Sequence, residues 1–274
     1  MVINMPEFKC PVCDEILHRD NNSYKCINNH CFDIARQGYV NLLLSQKSSA
    51  KRHGDDSLMV NSRRDFLNKG YYAKLKDEIT DIIGCYAEKP CVIADLGCGE
   101  CYYTDFIQKS FPDAEIYGID ISKQALISAS KRNKNISLAV ASTTDIPLAD
   151  CSCDIVVSVF APVNYSEITR ILSDKGIYIK VFPLEKHLYG LKKEIYDKPY
   201  FNEITEDFCE QLKTVDNRKI KYKIVLDNNE DIMNLFRMTP YYYKTGIKDQ
   251  KKLEKLNYLE TELEFGINVY TKLK

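Results

Sequence analysis

The chain has 274 residues, 45% of them hydrophobic and 28% charged, which suits one large domain, or one with a small companion, around a sizeable core. Lys and Arg number 38 against 39 Asp and Glu, so the net charge of −1 carries no global signature of a nucleic-acid or membrane partner. No apolar run approaches the ~20 residues that span a bilayer.

The 11 cysteines stand out. In a chain of this size, without a signal-like start, an odd number at close spacing points to reduced thiols, some bound to metal, and to a cytoplasmic setting. Cys10, Cys13, Cys26, Cys31, His18 and His30 all fall near the N-terminus. Cys10 and Cys13 form a C-x2-C knuckle, and Cys26 with His30 forms a C-x3-H pair. Two short-spaced pairs joined by a hairpin supply the four ligands of a tetrahedral zinc site. Arg19-Asp20-Asn21-Asn22 reads as the turn and Ser23 to Lys25 as a short strand. His30 and Cys31 compete for the fourth position. A redox role for the C-x-x-C is disfavoured, because no strand leads into it and no helix out of it.

Phe32 to Leu44 returns to apolar character and is expected to pack on the zinc module; residues 45–57 read as a polar linker. Helices are expected at 58–69 and 71–85. Between Lys47 and Lys76 lie eight basic residues (47, 51, 52, 63, 64, 69, 74 and 76) and three acids (55, 56 and 65), a local net of +5. This strip is either a solvated helix face or a phosphate-contacting surface beside the zinc module.

Cys91 to Leu96 reads as a buried strand running into Gly97-Cys98-Gly99-Glu100-Cys101 and then a helix, the opening of a doubly wound α/β sheet. Gly97 and Gly99 let backbone approach a ligand closely. A second strand, Ile116 to Asp120, ends in an acid suited to both ribose hydroxyls of a nucleoside. Ala139 to Ser142, Cys153 to Phe160, Gly176 to Phe182, Ile220 to Leu226 and Phe265 to Lys274 are the further expected strands, the last antiparallel. Residues 185–215 and 229–237 read as helical. Lys131-Arg132-Asn133-Lys134 and Arg218 to Lys223 read as solvated faces. Tyr241-Tyr242-Tyr243-Lys244 either stacks on an extruded nucleotide or packs on the core. The acid-G-x-G spacing of Asp95, Gly97 and Gly99 fits a cofactor without phosphates better than a dinucleotide.

This ordered set resembles the S-adenosylmethionine-dependent methyltransferases over 85–274. The implied architecture is α/β: a doubly wound, seven-stranded, Rossmann-like class I methyltransferase sheet with a small N-terminal zinc-binding module. Cys10-Pro11-x-Cys13, Asn22-Ser23-Tyr24-x-Cys26, His30-x-Phe32-Asp33 and Gly38 to Leu43 narrow the match, as do Gly54-Asp55 and Arg63-Arg64-x-Phe66-Leu67. Gly70-x-Tyr72, Gly97 to Thr104 and Met238-Thr239-Pro240 narrow it further. Together they resemble the RlmA (RrmA) family, which methylates N1 of a guanine in a 23S rRNA hairpin loop.

The resemblance implies zinc ligands Cys10, Cys13, Cys26 and His30, and cofactor contacts at Tyr72, Gly97, Gly99, Glu100 and His187, with Asp120 from the wider superfamily. It also implies 23S rRNA as partner and a homodimer. The implied division is a zinc-binding RNA-recognition module at 1–45, basic linker and helices at 46–84, and the methyltransferase domain at 85–274. Phe160, in the Phe160-Ala161-Pro162-Val163-Asn164 segment after the fourth strand, is a candidate to stack on the target base. His187 is a candidate for the cofactor or the proton path. Cys101 stands where the family usually has glycine; we read the position as one of packing, not of positive φ. A small-molecule methyltransferase with a structural zinc knuckle, and an RNA-binding protein with weakened catalysis, are the competing functions.

Overall fold

The computed structural model describes residues 8–44, 54–88, 90–204 and 209–273. In chain order these form β1 (His18–Asp20), β2 (Ser23–Lys25), β3 (Cys31–Asp33), β4 (Tyr39–Asn41), α1 (Ser57–Asn68), α2 (Ala73–Tyr86), β5 (Val92–Leu96) and α3 (Tyr102–Ser110). There follow β6 (Glu115–Asp120), α4 (Lys123–Arg132), β7 (Ser137–Val140), β8 (Cys153–Val159), α5 (Tyr165–Ile171) and β9 (Leu172–Pro183). The last are α6 (Tyr189–Ile195), β10 (Leu212–Leu226), α7 (Asn229–Arg237), α8 (Tyr241–Lys244), α9 (Ile247–Leu253) and β11 (Leu259–Lys272).

The main sheet has the order β10-β11-β9-β8-β5-β6-β7-β4. Strands β4 to β9 pair in parallel, whereas β11 runs antiparallel to both β9 and β10. Ile93 to Leu96 and Ile155 to Ser158 are buried without alternation, as befits parallel strands covered on both faces. The chain leaves β5 for β6 on one side and returns to β8 on the other, so a crevice opens at the carboxyl ends of these strands.

The sheet has eight strands where seven were expected. The extra one is β4: Tyr39, Val40 and Asn41 pair with Leu138, Ala139 and Val140 of β7, and Ile34 bridges to Val40. The segment expected to pack on the zinc module does so, since Val40 and Leu42 share a core with Phe8, Cys10, Leu17 and Cys26, and at the same time it adds a strand to the main sheet. β10 begins eight residues earlier than Ile220, and its outward Lys213, Lys219, Lys221 and Lys223 mark a solvated edge strand, whereas Arg218 lies on the other face and pairs with Glu78 of α2 (2.7 Å). Of the helix expected at 185–215, the described residues keep Tyr189–Ile195. Pro199 disfavours helix at Lys198, Leu212 onward pairs with β11, and 205–208 lie outside the described residues. The expected linker, 45–57, falls mostly on 45–53, likewise outside them. Among the described residues no helix is long and apolar enough to cross a membrane.

β1, β2 and β3 form a small antiparallel sheet whose first turn puts Asn21 at φ 51°, a conformation Asn tolerates. It is docked, not tethered. Phe8 is fully buried, edge-on to Tyr24 (5.4 Å) of the module and to Tyr117 (5.2 Å) of β6. The Lys9 N–H donates to the Pro147 carbonyl (2.9 Å), and Cys10, Leu17 and Cys26 share one core with Ala94, Ile119 and Leu148. Phe8→Ala is expected to lower unfolding free energy by about 3–4 kcal/mol in urea titration, the usual cost of emptying a buried aromatic site. A loss below about 1 kcal/mol would show that the interface carries no such load.

Candidate metal centre and cofactor cleft

Two tight backbone turns present the four putting-together points of the metal centre. In the first, the Cys10 N–H donates to Glu15 O and the Asp14 N–H to Cys10 O, with Asp14 at φ 60°. In the second, the Cys26 N–H donates to His30 O and the Asn29 N–H to Cys26 O, with Asn29 at φ 64°. The Sγ atoms of Cys10, Cys13 and Cys26 and a ring nitrogen of His30 all lie within 4.8 Å of one another. His30 Nδ1 is 3.5, 3.3 and 3.4 Å from the three sulfurs in that order, and Cys13 Sγ is 3.7 Å from Cys26 Sγ. Tetrahedral zinc with ordinary Zn–S and Zn–N bonds has edges of about 3.5–3.8 Å. The donor set therefore fits zinc in both chemistry and spacing. Cys31 is exposed on β3 and outside the cluster, so the geometry selects His30.

The second site lies at the carboxyl ends of β5, β6 and β8. Gly97 (φ 74°), Gly99 (φ 57°) and Cys101 (φ 63°) are all left-handed. Cys101 is also fully buried, so the packing reading of this position is incomplete: the thiol packs while the backbone takes positive φ, at a cost of about 1 kcal/mol. A Cβ on Gly97 would stand 2.3 Å from the Ala161 Cβ, which is why only glycine lets the loop and the post-β8 segment close together. Asp120 accepts from the Gly99 N–H (2.8 Å) on one oxygen and from the Ser122 N–H (2.7 Å) on the other. Burial pushes its carboxyl up and those two N–H donors oppose the shift. Each oxygen keeps a lone pair for a ribose hydroxyl. Beneath the loop, Asp95 is driven up to about 7 by burial and takes a 2.5 Å hydrogen bond from the Thr104 hydroxyl.

The opposite wall is aromatic. His187 is buried, and desolvation pulls it down to about 3, so its imidazole is neutral at physiological pH. The Glu264 N–H donates to His187 Nδ1 (3.3 Å), which leaves the ring proton on Nε2, 3.4 Å from the Tyr72 hydroxyl oxygen. Phe160 stacks on His187 (centroids 6.1 Å apart, planes at 28°), is itself left-handed (φ 57°), and stays 42% exposed. Non-glycine residues held at positive φ concentrate at functional sites, and Cys101, Phe160 and Leu188 (φ 60°) all border this cleft.

The fold thus gathers Gly97, Gly99 and Asp120 on one side and Tyr72, His187 and Phe160 on the other. Glu100 does not join them through its side chain: its buried carboxylate turns away from the cleft to Arg132 of α4, and its Oε1 has no hydrogen-bond partner among the described residues. Asn164 is occupied in capping α5.

Arg63 was hidden in the sequence among solvent-facing cations. Its Nη1 lies 4.0 Å from where a Cβ on Gly99 would be, tied to Asp55, while Nη2 donates to the Met238 carbonyl (3.1 Å). Its charge reaches Tyr72, Tyr103 and Asp120, and the buried Tyr103 hydroxyl has no hydrogen-bond partner among the described residues. A guanidinium and an uncommitted hydroxyl beside an acid at a strand end suit a ligand carrying both a carboxylate and a ribose.

The basic strip divides in the same way. Lys69 pairs with Asp231 (3.5 Å), Lys74 lies over the Tyr222 ring and Lys76 over Phe106, while residues 47, 51 and 52 lie outside the described residues. Tyr241 and Tyr242 pack inward, the first donating to Asn202 and the second edge-on to Phe236.

Residues 8–51 match the family described as the RlmA N-terminal zinc ribbon, and residues 93–176 match a methyltransferase domain. The chain is 36% identical over 186 residues to the 23S rRNA (guanine(748)-N(1))-methyltransferase of Streptomyces fradiae, covering 67% of this chain and 65% of that protein. It is 31% identical over 269 residues to YxjB of Bacillus subtilis (strain 168), covering 92% of each. That protein is provisionally named a 23S rRNA (guanine-N(1)-)-methyltransferase, as is a Micromonospora griseorubida relative 32% identical over 206 residues, covering 68% of this chain and 69% of that one.

Proposed function

The chain belongs to the family of 23S rRNA (guanine-N1)-methyltransferases, and from that premise we propose how it acts: it methylates N1 of a guanine in a 23S rRNA hairpin loop, with the zinc module helping to hold the RNA. The observation that carries this reading is the convergence of the glycine loop and Asp120 with the Tyr72–His187–Phe160 wall in one cleft. S-adenosyl-L-methionine, when bound, supplies a methyl group on an activated sulfonium.

The residues then have to position two partners in line and exclude competing charge. Asp120 would accept from the ribose hydroxyls, and Arg63 would answer the carboxylate. Tyr72 and the neutral His187 wall the reacting end without placing a second cation beside a sulfonium. With its imidazole held near 3, His187 is a weak proton acceptor, so the geometry favours it as a positioning group over a general base. The exposed face of Phe160 offers a stacking platform for an extruded guanine, whose N1 proton would pass to water as the methyl is transferred.

Zinc-loaded protein incubated with unmodified 23S rRNA and methyl-labelled cofactor is expected to yield 1-methylguanine after nuclease digestion, and to lose that product when the loop guanine is replaced. Label in another base, or none, would overturn the reading. Phe160→Ala is expected to lower kcat/KM for RNA by roughly 5- to 150-fold, the equivalent of ~1–3 kcal/mol of base stacking, with cofactor affinity unchanged. An equal loss of cofactor affinity would place Phe160 in the cofactor wall instead.

A further inference from the structure

A helix of the basic strip, read as either a solvated face or a phosphate-contacting surface, and the helix leading into Lys131, read as a solvated face, meet in one groove. α1 presents Asn61, Arg64 and Asn68, and α4 presents Gln124, Ser128 and Lys131, on either side of a cavity of about 400 Å³. The spacings of 3 and 4 residues put each trio in a row along its helix. The floor is the Glu100–Arg132 ion pair, which ties the groove directly to the glycine loop.

From this juxtaposition we infer that the groove binds the sugar–phosphate backbone of the RNA strand flanking the methylated nucleotide; the inference rests on the RNA reading above. Three features carry it. Gln124, Ser128 and Lys131 make no side-chain hydrogen bond or ion pair among the described residues, so their donors are uncommitted. Among the described residues Arg64 hydrogen-bonds only to Asp65 (2.9 Å) and Asn61 (3.1 Å) of its own helix, with the Glu100 carboxylate nearby, and its two largely solvent-facing bonds give way to a phosphate at little cost. α4 carries Lys123, Lys131 and Arg132 and no acid. The favourable field of a helix C-terminus accounts for Lys131 and Arg132 but not for the matching polar row across the groove on α1. Guanidinium, ammonium, amide and hydroxyl donors at successive helical turns suit phosphates and 2′-hydroxyls along a strand.

The test is binding of a 23S rRNA hairpin fragment to the full zinc-loaded chain, read by fluorescence anisotropy across a salt series. The double variant Arg64→Ala, Lys131→Ala is expected to weaken binding roughly tenfold near 0.1 M salt and to reduce the salt slope by about 1.5, as loss of two phosphate contacts requires. Its dissociation constant for S-adenosylhomocysteine should be unchanged. Arg64→Lys with Lys131→Arg should keep the wild-type slope, and so should Lys175→Ala, an exposed cation at the opposite end of the sheet. An unchanged slope in the alanine pair, or an equal drop in Lys175→Ala, overturns the groove while leaving the RNA reading intact. A wild-type chain that binds the hairpin no better than unrelated RNA overturns the RNA reading itself.

Discussion

Cys10→Ser is expected to strip the protein of zinc and to destabilise the whole chain, not only its first forty residues. The thiol is fully buried and one of four ligand atoms within 4.8 Å of one another, so a hydroxyl there removes a ligand and leaves a buried polar group without its partner. Structural zinc contributes ~10–16 kcal/mol to the folding of isolated zinc modules at neutral pH. Here Cys10 and Cys26 lie in the same core as Leu96, Ile119 and Leu148, so loss of the metal reaches β5 and β6. We expect metal analysis to fall from one zinc per chain to near none, and unfolding free energy to drop by more than about 4 kcal/mol. Cys31→Ser, on the exposed face of β3, should change neither. Zinc retained in Cys10→Ser, or lost in Cys31→Ser, would reassign the ligand set.

The second large effect is expected at Arg63. The groups around the cofactor loop are mainly acids (Asp95, Asp120 and, turned outward, Glu100), which leaves a carboxylate-bearing ligand in need of a cation. Arg63 stands against Gly99, braced by Asp55 and by the Met238 carbonyl, and its Nε and its remaining Nη protons have no partner among the described residues. A hydrogen bond to a charged group is worth about 1.5–3 kcal/mol. Arg63→Ala should therefore weaken S-adenosylhomocysteine by roughly 10- to 150-fold while scarcely affecting 5′-methylthioadenosine, which lacks the carboxylate. Arg63→Lys should recover part of the loss, a point charge replacing a fork. Equal weakening of both ligands in calorimetric titration would mean that Arg63 only braces the loop.

What was legible in the sequence is what depends on short spacing. C-x2-C and C-x3-H carry their own turn geometry, and a strand ending in Asp95-x-Gly97-x-Gly99 specifies where a ligand approaches backbone, so the two ligand pairs and the glycine loop were visible in residue order, while the choice between His30 and Cys31 was not. α7 was legible from end to end, since Asn228 caps it and its apolar stripe is helical in period. What was not legible depends on contacts across the chain. Arg63 looks like any cation of a basic strip until α1 is laid beside the glycine loop. Phe8 looks like one apolar residue until Tyr117 is brought to it. Of the strip, Lys69, Lys74 and Lys76 are turned to partners far away in sequence, and Arg64 faces the groove beside α4. At Cys101 the sequence offered two readings as alternatives, whereas a small thiol can pack and sit at positive φ at once.

The pairing of β4 with β7 has one more consequence. Ile136 to Ala141 is an uncharged, β-prone stretch, and without Tyr39–Asn41 alongside it β7 would be the bare margin of the sheet, with unsatisfied backbone donors and acceptors open to another chain. β4 is only three residues long and is reached directly from β3 of the zinc module. A chain that lost zinc and let β4 peel away would offer neighbouring molecules a template for strand addition, so aggregation ahead of complete unfolding is the result expected when a chelator removes the metal.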